Sequence, residues 1–143
     1  MTACQLDPEE LRPANDVFDQ AYQQELVLSM RRVGWEGRDL LVEQVLRFSF
    51  PEYYAWTGSH RIAAAREAGL ETVPCRMLSA AEADEAFVRA GYVKHPHHNW
   101  WSAITRAHGR YDRDRLQGLV AAGLTEAADM LRKEIAEENH HGA

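Results

Sequence analysis

The chain has 143 residues, 45% apolar and 27% charged, with a formal net charge of −6, the make-up of one globular domain with a single core. The acidic balance gives nonspecific duplex binding no overall electrostatic support, although arginine far outnumbers lysine and allows a local basic patch. Cys4 and Cys75 form no metal or redox spacing and point to a reducing compartment; with no apolar run of the ~20 residues a membrane span needs and no export signal, the expectation is a cytoplasmic protein.

A short strand is expected around Thr2–Leu6, then a loop punctuated by Pro8 and Pro13. A helix follows over roughly 19–33, because Tyr22, Leu26, Met30 and Val33 recur at helical spacing and Gly34 can close it. Leu40, Leu41, Val42, Val45 and Leu46 form an apolar run suited to a strand buried on both faces. Phe48 and Phe50 lead through Pro51 into a second, aromatic strand over Tyr53–Thr57. A glycine turn and a short helix over 60–68 come next, stopped by Gly69. A strand over Thr72–Met77 follows, in which Pro74 favours an edge or strand-end position.

Ser79 is placed to cap a helix over about 80–90, and Gly91 to end it. Tyr92–Asn99 reads as irregular and rich in histidine. Trp100–Arg110 and Asp112–Ala122 are each predicted helical. A last helix, capped by Thr125, is predicted to about Glu138 with Ala127, Leu131 and Ile135 inward. The fold class is α/β, a small mixed sheet with flanking helices, a core over 1–91 and a helical extension over 92–143 packed on it as one domain.

The most informative stretch is Gly58-Ser59-His60-Arg61, where a strand turns into a helix. Glycine carries no Cβ to keep a ligand from the backbone, and the first turn presents N–H groups where the helix dipole favours negative charge. Ser59 can cap the helix or donate to an anion, and Arg61 suits forked recognition of phosphate. An ordinary strand-to-helix turn, with Arg61 in a salt bridge, fits the same residues.

The segment YYAWTGSHRIAAAREAGLETVPCRML, and upstream LRPANDVFDQAYQQELVLSMRRVGWEGRDLLVE, resemble the ParB/sulfiredoxin superfamily over about residues 5–78. The shared features are a strand, a Gly-x-[His/Arg]-Arg turn, an alanine-rich helix, a Gly-Leu stop and a Val-Pro-Cys-like strand. Sulfiredoxins carry a catalytic cysteine where this chain has Ser59, so sulfiredoxin chemistry is not expected. ParB proteins carry Gly-Glu-Arg-Arg at the turn and later motifs without an evident counterpart here. The Gly-x-His-Arg pattern is closest to free serine kinases of the same fold.

The resemblance implies a nucleotide-binding protein acting as a small phosphotransferase or nucleotide hydrolase. Gly58, Ser59, His60 and Arg61 would hold the phosphates of ATP, ADP or CTP, with Arg12 of the early loop facing the same pocket. Mg²⁺ would bridge the phosphates, His60 would contact a β- or γ-phosphate, and Glu9 or Glu10 would activate the hydroxyl of a small-molecule acceptor. Asp16 could face the same pocket. No metal site is assigned: His95-Pro96-His97-His98 has no carboxylate or cysteine at ligand spacing, even with His108. Trp100-Trp101 reads as an anchor for the C-terminal helices, with base stacking the alternative. Arg106–Arg115 reads as a solvated helix face and Glu134–Glu138 as an acidic helix end. The alternative functions are a DNA-associated ParB-like nuclease or partition/phage module, and a non-catalytic regulatory or interaction protein whose C-terminal helices form a homodimer surface.

Overall fold

The computed structural model describes residues 1–14, 17–47, 50–94, 101–102 and 110–141. Strand β1 (Thr2–Leu6) leads through a 3-10 turn (Pro8–Glu10) into a two-residue strand β2 (Leu11–Arg12), then helix α1 (Gln20–Val33). Strands β3 (Leu40–Arg47) and β4 (Phe50–Ala55), helix α2 (Ser59–Ala68) and strand β5 (Val73–Leu78) complete the central unit. Helix α3 (Ala80–Arg89), short strands β6 (Val93–Lys94) and β7 (Trp101–Ser102), and helices α4 (Arg110–Ala121) and α5 (Thr125–His141) follow.

The five-stranded sheet has the order β1-β5-β3-β4-β2. Strand β3 runs parallel to β5 and antiparallel to β4, while β1 is antiparallel to β5 and β2 parallel to β4. Central placement explains the apolar run of β3: Leu40, Leu41 and Val42 are each 0% exposed. Because successive strand side chains point to opposite faces, Leu40 and Val42 join the core under α1 and α2, and Leu41 joins the core under α3, α4 and α5. The first core holds Leu26, Val27 and Met30 of α1 with Ile62, Ala64 and Ala65 of α2. The second holds Trp56, Leu78, Phe87, Leu119, Ala127 and Leu131. The result is a mixed sheet between two helical layers.

Several boundaries differ from the expected ones, each for a local reason. Strand β4 starts at Phe50 rather than Tyr53, with Pro51 inside it opposite Leu46. Since β2 pairs with β4 only at Tyr53 and Tyr54, Pro51 lies where β4 is an edge and its missing N–H interrupts no ladder on that side. The strand stops at Ala55 rather than Thr57, and the Thr57 hydroxyl accepts the Leu41 N–H at 2.9 Å in place of a backbone partner. Pro74 occupies a strand end, as expected: it pairs with Gln5 of β1, and the pairing of β5 with β3 starts only at Cys75.

Trp101–Ser102 is strand, paired with Val93–Lys94, rather than helix. Phe48, His95–Asn99, Trp100 and 103–109 lie outside the described residues. Ser79 does cap α3, in a full capping box with Glu82. Helix α5 runs on to His141. No helix among the described residues is long and apolar enough to cross a membrane.

Candidate functional site

The chain turns from β4 into α2 through Gly58, whose left-handed backbone (φ 81°) lets it serve as the helix N-cap without a side-chain cap. Ser59 is therefore the first helical residue rather than the N-cap. A Cβ at Gly58 would lie 2.2 Å from Leu40 Cδ2, so only glycine fits the turn against the sheet. Ser59, His60 and Arg61 are all buried, with Arg61 5% exposed.

An anion occupies this turn, and it belongs to the protein. The Gly58 N–H donates to Glu134 Oε1 at 2.7 Å, and Arg61 Nη2 donates to Glu134 Oε2 at 3.0 Å. One carboxylate thus takes a backbone donor and a guanidinium donor with its two oxygens, which is how such a turn would hold an oxyanion. Arg61 Nη1 donates to the Arg38 carbonyl at 2.6 Å, and its guanidinium carbon stands 5.7 Å from the Trp35 ring centroid. Arg38 Nη2 lies 3.6 Å from Glu134, and Arg38 Nη1 donates to Glu137 Oε1 at 2.5 Å. That bond is the main reason the Arg38 guanidinium is held above its ordinary range. Burial first, and the Glu137 carboxylate next, push the Tyr22 phenol up, so it faces the site as a neutral hydroxyl at neutral pH.

His60 is turned to a structural task. Its Nε2 accepts the backbone N–H groups of Phe18 at 3.3 Å and Asp19 at 3.1 Å, and its ring meets Phe18 edge-on at 4.4 Å. Asp19 is the N-cap of α1. In this arrangement Nε2 is an acceptor that fixes the entry to α1 and is not a donor available to a phosphate.

The expected site residues fall into two clefts. Phe18, Tyr22, Gly58, His60, Arg61, Glu134 and Glu137 line one of about 20 Å³. Glu9, Glu10 and Arg12 line a second, open cleft of about 880 Å³ beside β2 and β4. Arg66 of α2 draws that segment aside by donating to the carbonyls of Pro8 at 2.9 Å and Leu11 at 2.5 Å. Arg12 bonds Glu52 at 3.3 Å and lies over the Tyr54 ring. The structure therefore brings Gly58, Ser59, His60 and Arg61 together and leaves Glu9, Glu10 and Arg12 in the other cleft. Asp16 lies outside the described residues.

Glu134 and Glu137 are the site residues missed by reading 134–138 only as an acidic helix end. The sequence does carry a signal for Glu134: it continues the inward stripe of Ala127 and Leu131 at helical spacing. Among the described residues, no group of three or more His, Cys, Asp or Glu is placed to hold a metal ion.

No curated protein matches the sequence. Among solved structures it is similar to sulfiredoxin from Arabidopsis thaliana, at 27% identity over 55% of this chain and 86% of that one, with a TM-score of 0.45. It is also similar to the C-terminally truncated chromosome-partitioning protein ParB from Caulobacter crescentus complexed with CTP-gamma-S, at 25% identity, 55% and 45% coverage and a TM-score of 0.46. The same ParB complexed to the centromeric parS site gives 24% identity, 62% and 48% coverage and a TM-score of 0.44. The chain spans less than half the length of each ParB structure. The ParB N-terminal domain family matches residues 1–90, well over half of the sequence, and the chain belongs to that family.

Proposed function

We propose that this protein binds the phosphates of a nucleotide at the Gly58–Arg61 turn and serves a phosphotransferase or nucleotide hydrolase reaction there. The observation that carries the reading is the Glu134 carboxylate, which takes the Gly58 N–H and the Arg61 guanidinium with its two oxygens. A phosphate would use the same donors in the same way: one oxygen on the Gly58 N–H and a second on Arg61 Nη2, at the positive end of a ten-residue helix. ATP, ADP and CTP are the candidate ligands. Mg²⁺ would arrive bound to the nucleotide and neutralise phosphate charge. In this reading Arg61 supplies the fixed cation, Gly58 the close backbone donor, and His60 positions the turn against α1.

Calorimetric titration of the full-length protein and of Glu134→Ala with ATP, ADP, CTP and GTP, with and without magnesium, tests binding. Phosphate release tests turnover. Saturable binding that Arg61→Lys weakens supports the reading, because lysine keeps the charge and loses the planar guanidinium that is fixed on the Arg38 carbonyl through Nη1 while Nη2 faces the anion. If neither protein binds any nucleotide at millimolar concentration, the reading is wrong.

A second reading, a non-catalytic interaction protein, is favoured by the small size of the cleft. About 20 Å³ holds one water, whereas ligand pockets run from roughly 300 Å³ upward. On this reading the Glu134 contact is a permanent anchor for α5, and the same titrations would show no binding.

A further inference from the structure

We infer that α5 is an exchangeable internal ligand: Glu134 holds the place of a bound phosphate, and phosphate entry and docking of the C-terminal half of α5 exclude one another. The inference rests on the phosphate-binding reading above and adds the regulation of that site.

Charge is the first argument. Within the cluster two arginines, Arg38 and Arg61, face two carboxylates, Glu134 and Glu137, through contacts of 2.5 to 3.6 Å. A phosphate added beside these carboxylates would bring like charges together next to the buried Arg61–Glu134 pair, with both arginines already engaged. With Glu134 withdrawn, Arg61 and the Gly58 N–H are set free together, and they are the donors the entering anion needs. The exchange conserves the ion pairing of the turn.

Space is the second argument. With α5 docked, the cleft of about 20 Å³ admits roughly one water. Glu134 and Glu137 form part of its wall, so their departure opens it.

Helix α5 is held differently along its length. Its first half is anchored by apolar contact, with Ala127, Ala128 and Leu131 each at most 2% exposed. Beyond Leu131, among the described side chains, only the half-buried Ile135 adds to the apolar core. Glu134 and Glu137 there make polar contacts, the bond from the Gly58 N–H to Glu134 and ion pairs with Arg38 and Arg61. The polar half can therefore leave without exposing the core beneath the first half. A ligand that binds only the undocked state sees its affinity reduced by the fraction of molecules in that state.

The test uses the full-length protein, with pyrophosphate and ADP as probes, each in EDTA and in magnesium. Glu134→Ala is expected to bind pyrophosphate roughly tenfold or more tightly than the unaltered protein. In the unaltered protein, hydrogen–deuterium exchange should slow at 58–62 and quicken at 132–137 as pyrophosphate is added. This second measurement needs no variant to fold. Equal binding by the two proteins overturns the inference, as does continued protection of 132–137 while 58–62 becomes protected. Weaker binding by Glu134→Ala in magnesium alone also overturns it, because Glu134 would then be a ligand of the phosphate-bound metal. In these cases phosphate binding itself stands. Absence of binding in every form removes the phosphate site and the exchange together.

Discussion

Arg61 on α2 and Glu134 on α5, 73 positions apart, meet at 3.0 Å with side chains only 6% and 11% exposed. Removing one partner of such a pair leaves the other buried without its counter-charge, which costs about 3–5 kcal/mol. Arg61→Ala should therefore lower unfolding free energy in urea by about that amount. Arg61→Met combined with Glu134→Leu should cost clearly less than the sum of the single changes, since no isolated charge remains. A single substitution costing under ~1 kcal/mol would show that the pair is solvated and weak.

The His60 imidazole accepts two backbone N–H groups at the entry to α1. His60→Phe keeps a ring beside Phe18 and Tyr22 but removes the acceptor, and should cost about 1–3 kcal/mol in chemical denaturation. The backbone amides of Phe18 and Asp19 should then exchange faster with deuterium. Unchanged exchange at these two amides would contradict the positioning role of His60.

Gly118 lets α3 and α4 touch, for a Cβ there would sit 2.1 Å from the Ala86 backbone oxygen. Gly118→Ala gains ~1 kcal/mol of helix propensity. Against that stands overpacking into a backbone that cannot rotate away, at about 1–3 kcal/mol. Packing wins, so the variant should be less stable by thermal melting. A variant that melts higher than the unaltered protein would mean the two helices separate freely.

In the α3 capping box, the bond from the Ser79 backbone N–H holds the Glu82 carboxylate below its ordinary range. A depressed folded-state pKa contributes stability that is present above the unfolded value of about 4.3 and is lost as pH falls through the lower folded value. Glu82→Gln should therefore fall short of the unaltered protein in stability at neutral pH, with the gap closing as pH drops below about 4. Ser79→Ala should cost about 1 kcal/mol near neutrality. Urea titrations from pH 3 to 7 would check both, and a gap that widens toward acid would contradict the assignment.

Cys4 and Cys75 stand directly opposite each other on β1 and β5, and burial pushes the Cys75 thiol up to about 12. Near pH 8.5 an ordinary cysteine is about half thiolate, so native Cys75 should alkylate roughly a thousandfold more slowly than in the unfolded chain. Cys4 is partly exposed and should label first. Mass spectrometry of timed iodoacetamide reactions decides it, and rapid native labelling of Cys75 would contradict its burial.

Much of the fold was legible because its signals are local. The helical period of α1, the apolar run of β3, the Ser79 cap and the stops at Gly34 and Gly69 each act within a few residues and appear in the structure. Val33 of the expected α1 stripe is exposed, however, and Val27 is buried in the core. The placement of Pro74 also followed from its missing N–H. The same chemistry marked Gly58–Arg61 either as a phosphate cradle or as an ordinary turn with Arg61 in a salt bridge, and the structure has Arg61 paired with Glu134.

Which anion fills the turn was a tertiary matter. Periodicity marks 134 as an inward position but says nothing about what lies across from it, and Gly58 meets Glu134 only because α5 packs on the sheet 76 positions later. The parting of Glu9, Glu10 and Arg12 from the turn was likewise set by the pairing of β2 with β4 and by the hold of Arg66 on Pro8 and Leu11. By itself the sequence determined most of the helices and the central strands and a turn able to take an anion, because propensity, capping and side-chain periodicity act between neighbours along the chain. Only the tertiary structure decided that the turn is closed by the protein's own carboxylate, because ion pairs form between groups that packing brings together.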